Sequence, residues 1–139
     1  MKLLKIIFFM FLAFQLIQVD KLNPQYNKKD EIKVPKDVMA IFKRACWDCH
    51  SNDTVWPWYS KIAPFSWSIA RHVKNGRAYV NFSTWEKYTK EDKEKKLEGI
   101  YRTMYAAMPP QNYIQWHEEA KVTKKDIKLI RDWTGKSPY

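Results

Sequence analysis

The only two cysteines of the chain stand two residues apart in the segment Cys46-Trp47-Asp48-Cys49-His50. Cys-x-x-Cys-His is the attachment signature of a c-type haem. The spacing suits that chemistry, because two thiols on one turn of chain reach the two vinyl groups along one edge of the porphyrin. The histidine that follows then ligates the iron from the proximal side. The pentapeptide predicts one covalently bound haem c, attached through Cys46 and Cys49, with His50 on the iron.

Three other kinds of site also use a pair of cysteines with this spacing. A thioredoxin-like redox pair shares the Cys-x-x-Cys spacing, but it needs a strand-helix context that this sequence lacks. A zinc site would need further ligands, for which His72 and His117 are the candidates. A structural disulfide across so short a loop would stabilise the fold little. The haem interpretation is favoured over all three.

Length and composition bound the fold to one small domain. The 139 residues suffice for a single domain at most, with some chain to spare at the N-terminus. Aromatic residues make up 16% of the chain, which suits both a core filled by large rings and the walls of a bulky planar cofactor. Only three glycines are present, and this scarcity disfavours phosphate-cradling loops and nucleotide-binding fingerprints.

The chain is strongly basic. Its net charge is +10, from 25 Lys and Arg against 15 Asp and Glu. An excess of positive charge is typical of proteins that bind nucleic acid, anionic lipid or an acidic protein. Because the lysines between Lys87 and Glu98 are interleaved with acidic residues, as on a solvated helix face, no nucleic-acid partner is predicted. An acidic redox protein is the partner that the charge favours.

Residues 1–19 are predicted to be a signal anchor or a signal peptide. An uncharged, mostly apolar run from Ile6 to Val19 follows two lysines, and it is shorter than the ~17–25 residues of a full span. A cleavage site needs small residues, and Ala13 is the only one nearby, in the middle of the run. An uncleaved anchor counted from about Leu3 is favoured, which places the domain on the periplasmic or outer side of the cell envelope. A cleaved signal and a periplasmic protein are the alternative.

The rest of the chain divides into a linker and one domain. Residues 20–33 are polar and contain a proline, so they are interpreted as a linker. The folded domain is predicted over residues 34–137. No stretch in it shows a convincing alternation with a period of two, so the fold class is all-α, with long ordered loops.

The first and last helices of the domain are predicted to carry apolar stripes. The first starts at Pro35 and leads straight into Cys46, so the cysteine motif lies at its C-terminal end. The last begins at the cap Thr123 and ends at Gly135.

Two further helices are predicted between them. Ser66 can cap a short helix that Gly76 is placed to end. The next helix begins near Thr84, with a second possible start at Thr89. It stops before the Met-Pro-Pro sequence at 108–110, since proline cannot continue a helix.

These motifs together resemble a known family. The sequence is similar to the bacterial haem-binding domain family, whose members are small, often membrane-anchored c-type cytochrome-like proteins. The similarity covers roughly residues 35–135. It implies a cytochrome c-like helical domain in which the first and last helices cross and pack, preceded here by a hydrophobic anchor helix. The matching residues are Cys46 to Asn52, Thr54, Pro57-Trp58-Tyr59, Ala63 to Trp67, Gly76-Arg77, Asn81-Phe82-Ser83, Trp85, Met108-Pro109-Pro110, Tyr113, His117 and Trp133.

The resemblance assigns roles to four residues. Cys46 and Cys49 match the thioether cysteines, and His50 matches the proximal ligand. Met108 matches the distal-ligand position of cytochromes c, through its Met-Pro setting and its place before the last helix. A Met thioether on the distal side raises the reduction potential, which suits electron transfer. A hydrophobic plug under the Pro-Pro turn is the other role open to Met108.

Other side chains are weaker candidates for contacts with the haem. His72 is expected to be a surface or core histidine, and His117 to make a structural hydrogen bond or border the pocket. Met104 fits the apolar stripe of its helix. The donor chemistry of five side chains suits the haem propionates: Trp67, Trp85, Tyr59, Arg71 and Arg77.

The predicted function is one-electron transfer in the cell envelope by a protein with a single c-type haem. The alternative is a haem-based sensor or small-ligand binder with an open or weak sixth coordination site. No enzymatic activity is predicted. A peroxidase-like reaction would want a distal histidine or acid, and only His72 or His117 would serve.

Overall fold

The structure is a computed structural model and describes residues 1–136, so the last residue of the predicted domain, 137, lies outside the described residues. Seven α-helices and short 3-10 turns are joined by loops, and no strand occurs in this part of the chain. The all-α prediction is therefore confirmed. The helices are α1 Lys2–Gln15, α2 Lys36–Ala45, α3 Trp47–His50, α4 Phe65–Tyr79, α5 Lys90–Ala106, α6 Gln111–Ile114 and α7 Lys124–Thr134.

The two ends of the domain form as their sequence signals predict. Helix α2 begins directly after Pro35, whose backbone conformation is extended, and buries one apolar face. At α7, the Thr123 side chain accepts from the Asp126 backbone N–H while the Asp126 carboxylate accepts from the Thr123 backbone N–H. This reciprocal cap satisfies two donors that the first turn of a helix leaves free. Gly135 ends α7 with a positive φ of 64°, which glycine adopts without a steric cost.

The core lies where α2 and α7 pack against each other. Phe42 and Ile130 are both 0% exposed. The Phe42 ring stacks on Phe82, with centroids 4.6 Å apart, and meets the Trp133 ring edge-on at 5.5 Å. Large rings thus fill the interior between the two helices, which accounts for part of the high aromatic content.

Helix α4 differs from its prediction at both ends. It begins at Phe65, no side chain caps it, and Ser66 is a buried residue of its first turn. It also runs through Gly76 to Tyr79 rather than ending there. Gly76 serves a different purpose: the helix passes so close to Cys49 that a side chain at position 76 would overlap it.

Helix α5 uses the second of its two predicted starts. Thr89 accepts a hydrogen bond from the Asp92 backbone N–H at 3.1 Å and caps the helix. The start near Thr84 is wrong, because that residue has a non-helical backbone within a 3-10 turn, Phe82–Lys87. The Asn81 side chain initiates this turn by accepting from the Ser83 N–H.

Helix α1 is apolar and exposed, and its C-terminal end contacts the domain. The Gln15 side chain accepts from the Ala63 backbone N–H at 2.9 Å and donates to the Ala63 carbonyl at 3.3 Å. The Phe14 ring lies edge-on against Trp67, with centroids 5.3 Å apart. Within residues 1–136, no helix combines the length and the apolarity that a membrane crossing requires.

The segment 20–33 lies against the domain along much of its length. Arg77 donates to the Asn23 side-chain oxygen at 2.8 Å. Ile32 is 3% exposed within the core, and its backbone N–H donates to the Phe82 carbonyl at 2.9 Å. This segment therefore contributes contacts and one core side chain to the fold.

Candidate functional site

The cysteine motif forms a single helical turn, α3, that continues the chain directly after α2. The His50 backbone N–H donates to the Cys46 carbonyl at 3.0 Å, which closes the turn. Trp47 points into the core and is 4% exposed, whereas Cys46 and Cys49 are half-buried free thiols. Residues three apart share a helix face, so the turn brings Cys46, Cys49 and His50 together.

Both thiols lie in surroundings that keep them protonated. Burial, with a smaller effect of Cys49, raises the pKa of Cys46 to about 12. Burial, with the nearby Asp48 carboxylate, raises the pKa of Cys49 to about 11. A thiol-disulfide redox pair depends on a lowered thiol pKa, so this environment does not suit the thioredoxin-like alternative. Neither cysteine forms a disulfide in the structure.

The two histidines proposed as zinc ligands lie elsewhere. Among the described residues, no three His, Cys, Asp or Glu side chains come together as a metal site would require. His72 is exposed on α4. Neither it nor His117 joins the cysteines.

The His50 ring is oriented by the last turn of α4. Its Nδ1 lies 3.0 Å from the Gly76 carbonyl oxygen and 3.2 Å from that of Val80. Because a carbonyl only accepts, Nδ1 carries the proton and Nε2 keeps its lone pair for a metal. Burial lowers the pKa of His50, although the two carbonyls oppose this effect, so the ring stays neutral. A ligating histidine needs this tautomer and this second hydrogen bond.

The loop after the motif folds back onto Asp48. The Thr54 hydroxyl donates to the Asp48 carbonyl at 2.6 Å, and the Val55 N–H donates to its carboxylate Oδ1 at 2.9 Å. Arg77 reaches the same region from α4 and donates to the Ser51 carbonyl at 2.7 Å and to Thr54 Oγ1 at 2.8 Å. The motif is thus held by α4 on one side and by its own loop on the other.

A cluster of aromatic side chains meets the motif at Asp48, and we call it the Tyr-His cluster: Tyr59, Tyr113 and His117. The Tyr113 hydroxyl donates to Asp48 Oδ2 at 2.9 Å. The Tyr113 and His117 rings stack with centroids 4.3 Å apart and an interplanar angle of 15°. The Tyr59 hydroxyl lies 2.7 Å from His117 Nε2, and Glu119 lies 3.2 Å from Nδ1. Since the carboxylate only accepts, Nδ1 donates to it and the Tyr59 hydroxyl donates to Nε2.

The two tyrosines of the Tyr-His cluster have raised pKa values. Burial raises the pKa of Tyr113, and the Asp48 carboxylate raises it further through its charge and its hydrogen bond. Burial also raises the pKa of Tyr59, again with a contribution from the Asp48 charge. Both hydroxyls therefore keep their protons at neutral pH and act as hydrogen-bond donors.

Each residue of the Tyr-His cluster can be singled out from the sequence, but the sequence does not predict that they contact one another. Tyr59, Tyr113 and His117 each appear in the family resemblance, at positions far apart along the chain. Their convergence on Asp48 depends on how the loops fold, and no spacing rule encodes it. Asp48 itself occupies a variable position of the Cys-x-x-Cys-His signature, so the signature assigns it no role.

Met108 lies in the loop between α5 and α6. It is 39% exposed, while the next residue, Pro109, is buried. A hydrophobic plug is buried, so this role suits Pro109 and not Met108. The Met108 N–H donates to the Thr103 carbonyl at 2.8 Å, which holds the loop at the end of α5. The assignment of Met108 as the distal ligand stays a prediction.

Several of the rival ligands and propionate donors already make other contacts in the fold. Met104 is 6% exposed and belongs to the core, as its helix stripe predicts. Both ring nitrogens of His117 are hydrogen-bonded. Trp67 Nε1 donates to the Ile17 carbonyl at 3.3 Å, and Arg77 is committed to the contacts described above.

Two side-chain polar groups in the loop after the motif are buried without a hydrogen-bond partner in the described part of the chain. Trp56 Nε1 and Ser60 Oγ have no hydrogen-bond partner among the described residues. A buried donor left unpaired costs about 1–3 kcal/mol, so an acceptor is expected beside them. A haem propionate is such an acceptor. With two thiols on one turn and a histidine Nε2 that has no hydrogen-bond partner in the described part of the chain, the residues present fit a haem.

Comparison with known proteins agrees with this arrangement. A sequence model of the family described as "Haem-binding domain" matches residues 9–136. No curated protein and no solved structure matches the chain. The family match spans most of the chain and includes the cysteine turn, α4 and the Tyr-His cluster. The chain belongs to the haem-binding domain family.

Proposed function

We propose that this chain holds its haem covalently, as a single haem c, and carries one electron at a time in the cell envelope. One observation carries the proposal. Two free thiols lie on one helical turn, and the next side chain is a histidine whose Nδ1–H is bonded to α4 and whose Nε2 has no hydrogen-bond partner within residues 1–136.

Attachment would use Cys46 and Cys49. Each thiol would add across one vinyl group of the porphyrin, so that one sulfur-carbon bond would form and the thiol hydrogen would go to the other vinyl carbon. No electron is gained or lost in this step, and no leaving group is released. His50 would then ligate the iron from the proximal side through Nε2.

Electron transfer is the role that the axial residues support. Bound haem iron supplies a one-electron couple between its ferrous and ferric states. The Gly76 and Val80 carbonyls accept from His50 Nδ1 and so increase the basicity of the ring, while Met108 is proposed as the sixth ligand. The net charge of +10 suits an acidic redox partner, and we assign no nucleic-acid partner.

A haem-based sensor or small-ligand binder is the second candidate. The exposure of Met108 on a loop favours it, because a sixth ligand on an exposed loop is easily displaced. Fast binding of carbon monoxide to the reduced protein would support this candidate, and slow binding would support electron transfer.

We propose no catalytic turnover. The two histidines that a peroxidase-like reaction would use are exposed on α4, in the case of His72, or hydrogen-bonded at both nitrogens, in the case of His117. Peroxide turnover by the holoprotein that is lost in His72→Ala or His117→Ala would contradict this part of the proposal.

We propose that residues 1–19 attach the domain to a membrane, with the domain on the periplasmic or outer side. Exposed apolar side chains along α1 support this, including Leu4, Ile7 and Phe8. At 1.5 Å per residue, the 14 residues of α1 extend about 21 Å, less than the ~30 Å of a hydrocarbon core. Full-length protein should float with lipid vesicles and Phe8→Glu should float less, whereas equal recovery would contradict the attachment.

The test of covalent attachment is a denaturing gel stained for haem after expression with cytochrome c maturation proteins. The wild type should retain haem through denaturation and show c-type absorption bands when reduced. Cys46→Ala with Cys49→Ala should release all of it. Ser51→Ala, which keeps the Cys-x-x-Cys-His segment, is the matched control and should stain like the wild type. Loss of haem from the denatured wild type would contradict covalent attachment and leave haem binding itself intact.

A further inference from the structure

Two hydrogen bonds tie the segment 108–117 to the region of the cysteine turn. The Tyr113 hydroxyl donates to Asp48 Oδ2 at 2.9 Å, and the Tyr59 hydroxyl donates to His117 Nε2 at 2.7 Å. Asp48 lies between the two cysteines in sequence, so the first of these bonds ends on the attachment turn itself.

We propose that Tyr113 is a positioning residue: its hydrogen bond to Asp48 latches segment 108–117 onto the attachment turn and keeps the sixth coordination position closed to outside ligands. The inference rests on the proposed function, since it concerns access to the iron of the covalently held haem. The proposal gives Asp48 and Tyr113 a structural role that the Cys-x-x-Cys-His signature does not predict.

The chain between Met108 and Tyr113 is short and conformationally restricted, so a displacement of Tyr113 also displaces Met108. Two prolines follow Met108, and each fixes its own φ, and the one-turn helix α6 then holds Tyr113. On the other side, the Met108 N–H is bonded to the Thr103 carbonyl. Met108 therefore lies between the end of α5 and the Tyr113 hydrogen bond, and loss of that bond releases the nearer of the two side-chain bonds that hold segment 108–117.

The acceptor of the latch is itself held in place. Asp48 Oδ1 accepts from the Val55 N–H at 2.9 Å, which leaves Oδ2 for Tyr113. A hydrogen bond to a carboxylate in a half-buried site is stronger than one between neutral groups. The ring of Tyr113 is supported independently by its stack on His117. A phenylalanine at position 113 would keep this stack and lose only the hydroxyl.

The test is the rate of carbon monoxide binding to the reduced holoprotein with Tyr113→Phe. Loss of a hydrogen bond to a charged group predicts a rise of roughly tenfold or more over the wild type. A larger high-spin fraction in the absorption spectrum should accompany the faster binding. Haem staining and the thermal unfolding midpoint should show that haem attachment and fold are retained.

Tyr105→Phe is the matched control. Tyr105 lies on α5 just before Met108 and is 55% exposed, so removal of its hydroxyl should leave the rate of carbon monoxide binding unchanged. Asp48→Asn weakens the same bond from the other side and should also speed carbon monoxide binding. In the background of Asp48→Asn, Tyr113→Phe should increase the rate of carbon monoxide binding less than it does in the wild type, because the Tyr113–Asp48 hydrogen bond is already weakened.

Each other outcome decides against the latch. A wild-type rate in Tyr113→Phe, or an equal rise in Tyr105→Phe, would overturn it. A wild type that already binds carbon monoxide as fast as an open site would overturn the latch and leave covalent haem attachment standing. Wild-type protein without covalent haem would remove the proposed function and the latch together, and the haem stain separates this outcome from the others.

Discussion

A Cβ atom on Gly76 would lie 3.2 Å from the Cβ of Cys49 and would overlap the Cys49 backbone carbonyl oxygen. Only glycine lets α4 approach the cysteine turn this closely. The approach matters because the last turn of α4 supplies the carbonyls that accept from His50 Nδ1. The same glycine therefore controls the packing of the cysteine turn and the orientation of the His50 ring.

The first prediction is that Gly76→Ala destabilises the protein and lowers its haem content. Alanine in a helix is favoured over glycine by about 1 kcal/mol, so helix propensity alone predicts the opposite sign. Overlap in a packed site costs about 1–3 kcal/mol, and here the obstacle is backbone rather than a flexible side chain. The net expectation is a lower free energy of unfolding in urea and less haem stain per mole of protein.

Asn75→Ala is the matched control for this change. Asn75 is exposed on the same turn of α4, so the substitution should be neutral or slightly stabilising. A Gly76→Ala protein as stable as Asn75→Ala would show that the close approach of α4 to Cys49 does not limit the fold.

The second prediction concerns the sixth ligand. If Met108 ligates the iron, Met108→Ala should lower the reduction potential and open the site to carbon monoxide, because a Met thioether favours ferrous iron. His72→Ala, on the exposed face of α4, is the control and should leave both unchanged. An unchanged spectrum in Met108→Ala would show that Met108 does not ligate the iron.

Local signals in the sequence predict most of the helical framework. Thr123 and Gly135 bound α7 as predicted because their effects are local: one side chain bonds a backbone N–H three residues on, and one glycine adopts a positive φ. The prediction that Gly76 ends α4 is wrong because a glycine that permits close approach and a glycine that ends a helix look alike in sequence. The difference depends on Cys49, which is distant along the chain.

The candidate site also has a part that local sequence predicts and a part that depends on the fold. Cys46, Cys49 and His50 are adjacent in sequence, so one turn of helix brings them together whatever the remaining fold. The Tyr-His cluster joins residues from three separate segments, and its contacts with Asp48 exist only after the loops have packed. The unpaired Trp56 Nε1 is likewise invisible in sequence, because burial and the lack of a partner are properties of the fold.

The third prediction tests the aromatic core. Phe42 is 0% exposed and contacts the Phe82 and Trp133 rings. Phe42→Ala should lower the free energy of unfolding by about 3–5 kcal/mol, since it removes a large buried side chain and leaves a cavity. Urea unfolding followed by circular dichroism measures the change. Phe65→Ala is the control, because Phe65 is 59% exposed and its loss should cost far less.

The fourth prediction is a pH dependence that comes from the contact between the first and last helices of the domain. Arg44 pairs with Asp126 at 2.6 Å, and the same carboxylate accepts hydrogen bonds at the cap of α7. Burial alone would raise the pKa of Asp126, but the hydrogen bonds from Thr123 and the charge of Arg44 outweigh burial and hold this pKa below its ordinary value of 3.8.

Because the folded-state pKa of Asp126 lies below its unfolded value, the unfolded chain binds more protons in acid, and this contribution to stability rises with pH. It is fully present above the unfolded value of about 4 and is lost as the pH falls through the folded pKa. Asp126→Asn should therefore lower the thermal midpoint at pH 7, and the difference from the wild type should shrink towards pH 3. Asp132→Asn changes an acid on the same helix that is 54% exposed and should show a smaller difference at both pH values. Equal pH profiles for the two variants would show that the ion pair between α2 and α7 contributes no pH-dependent stability.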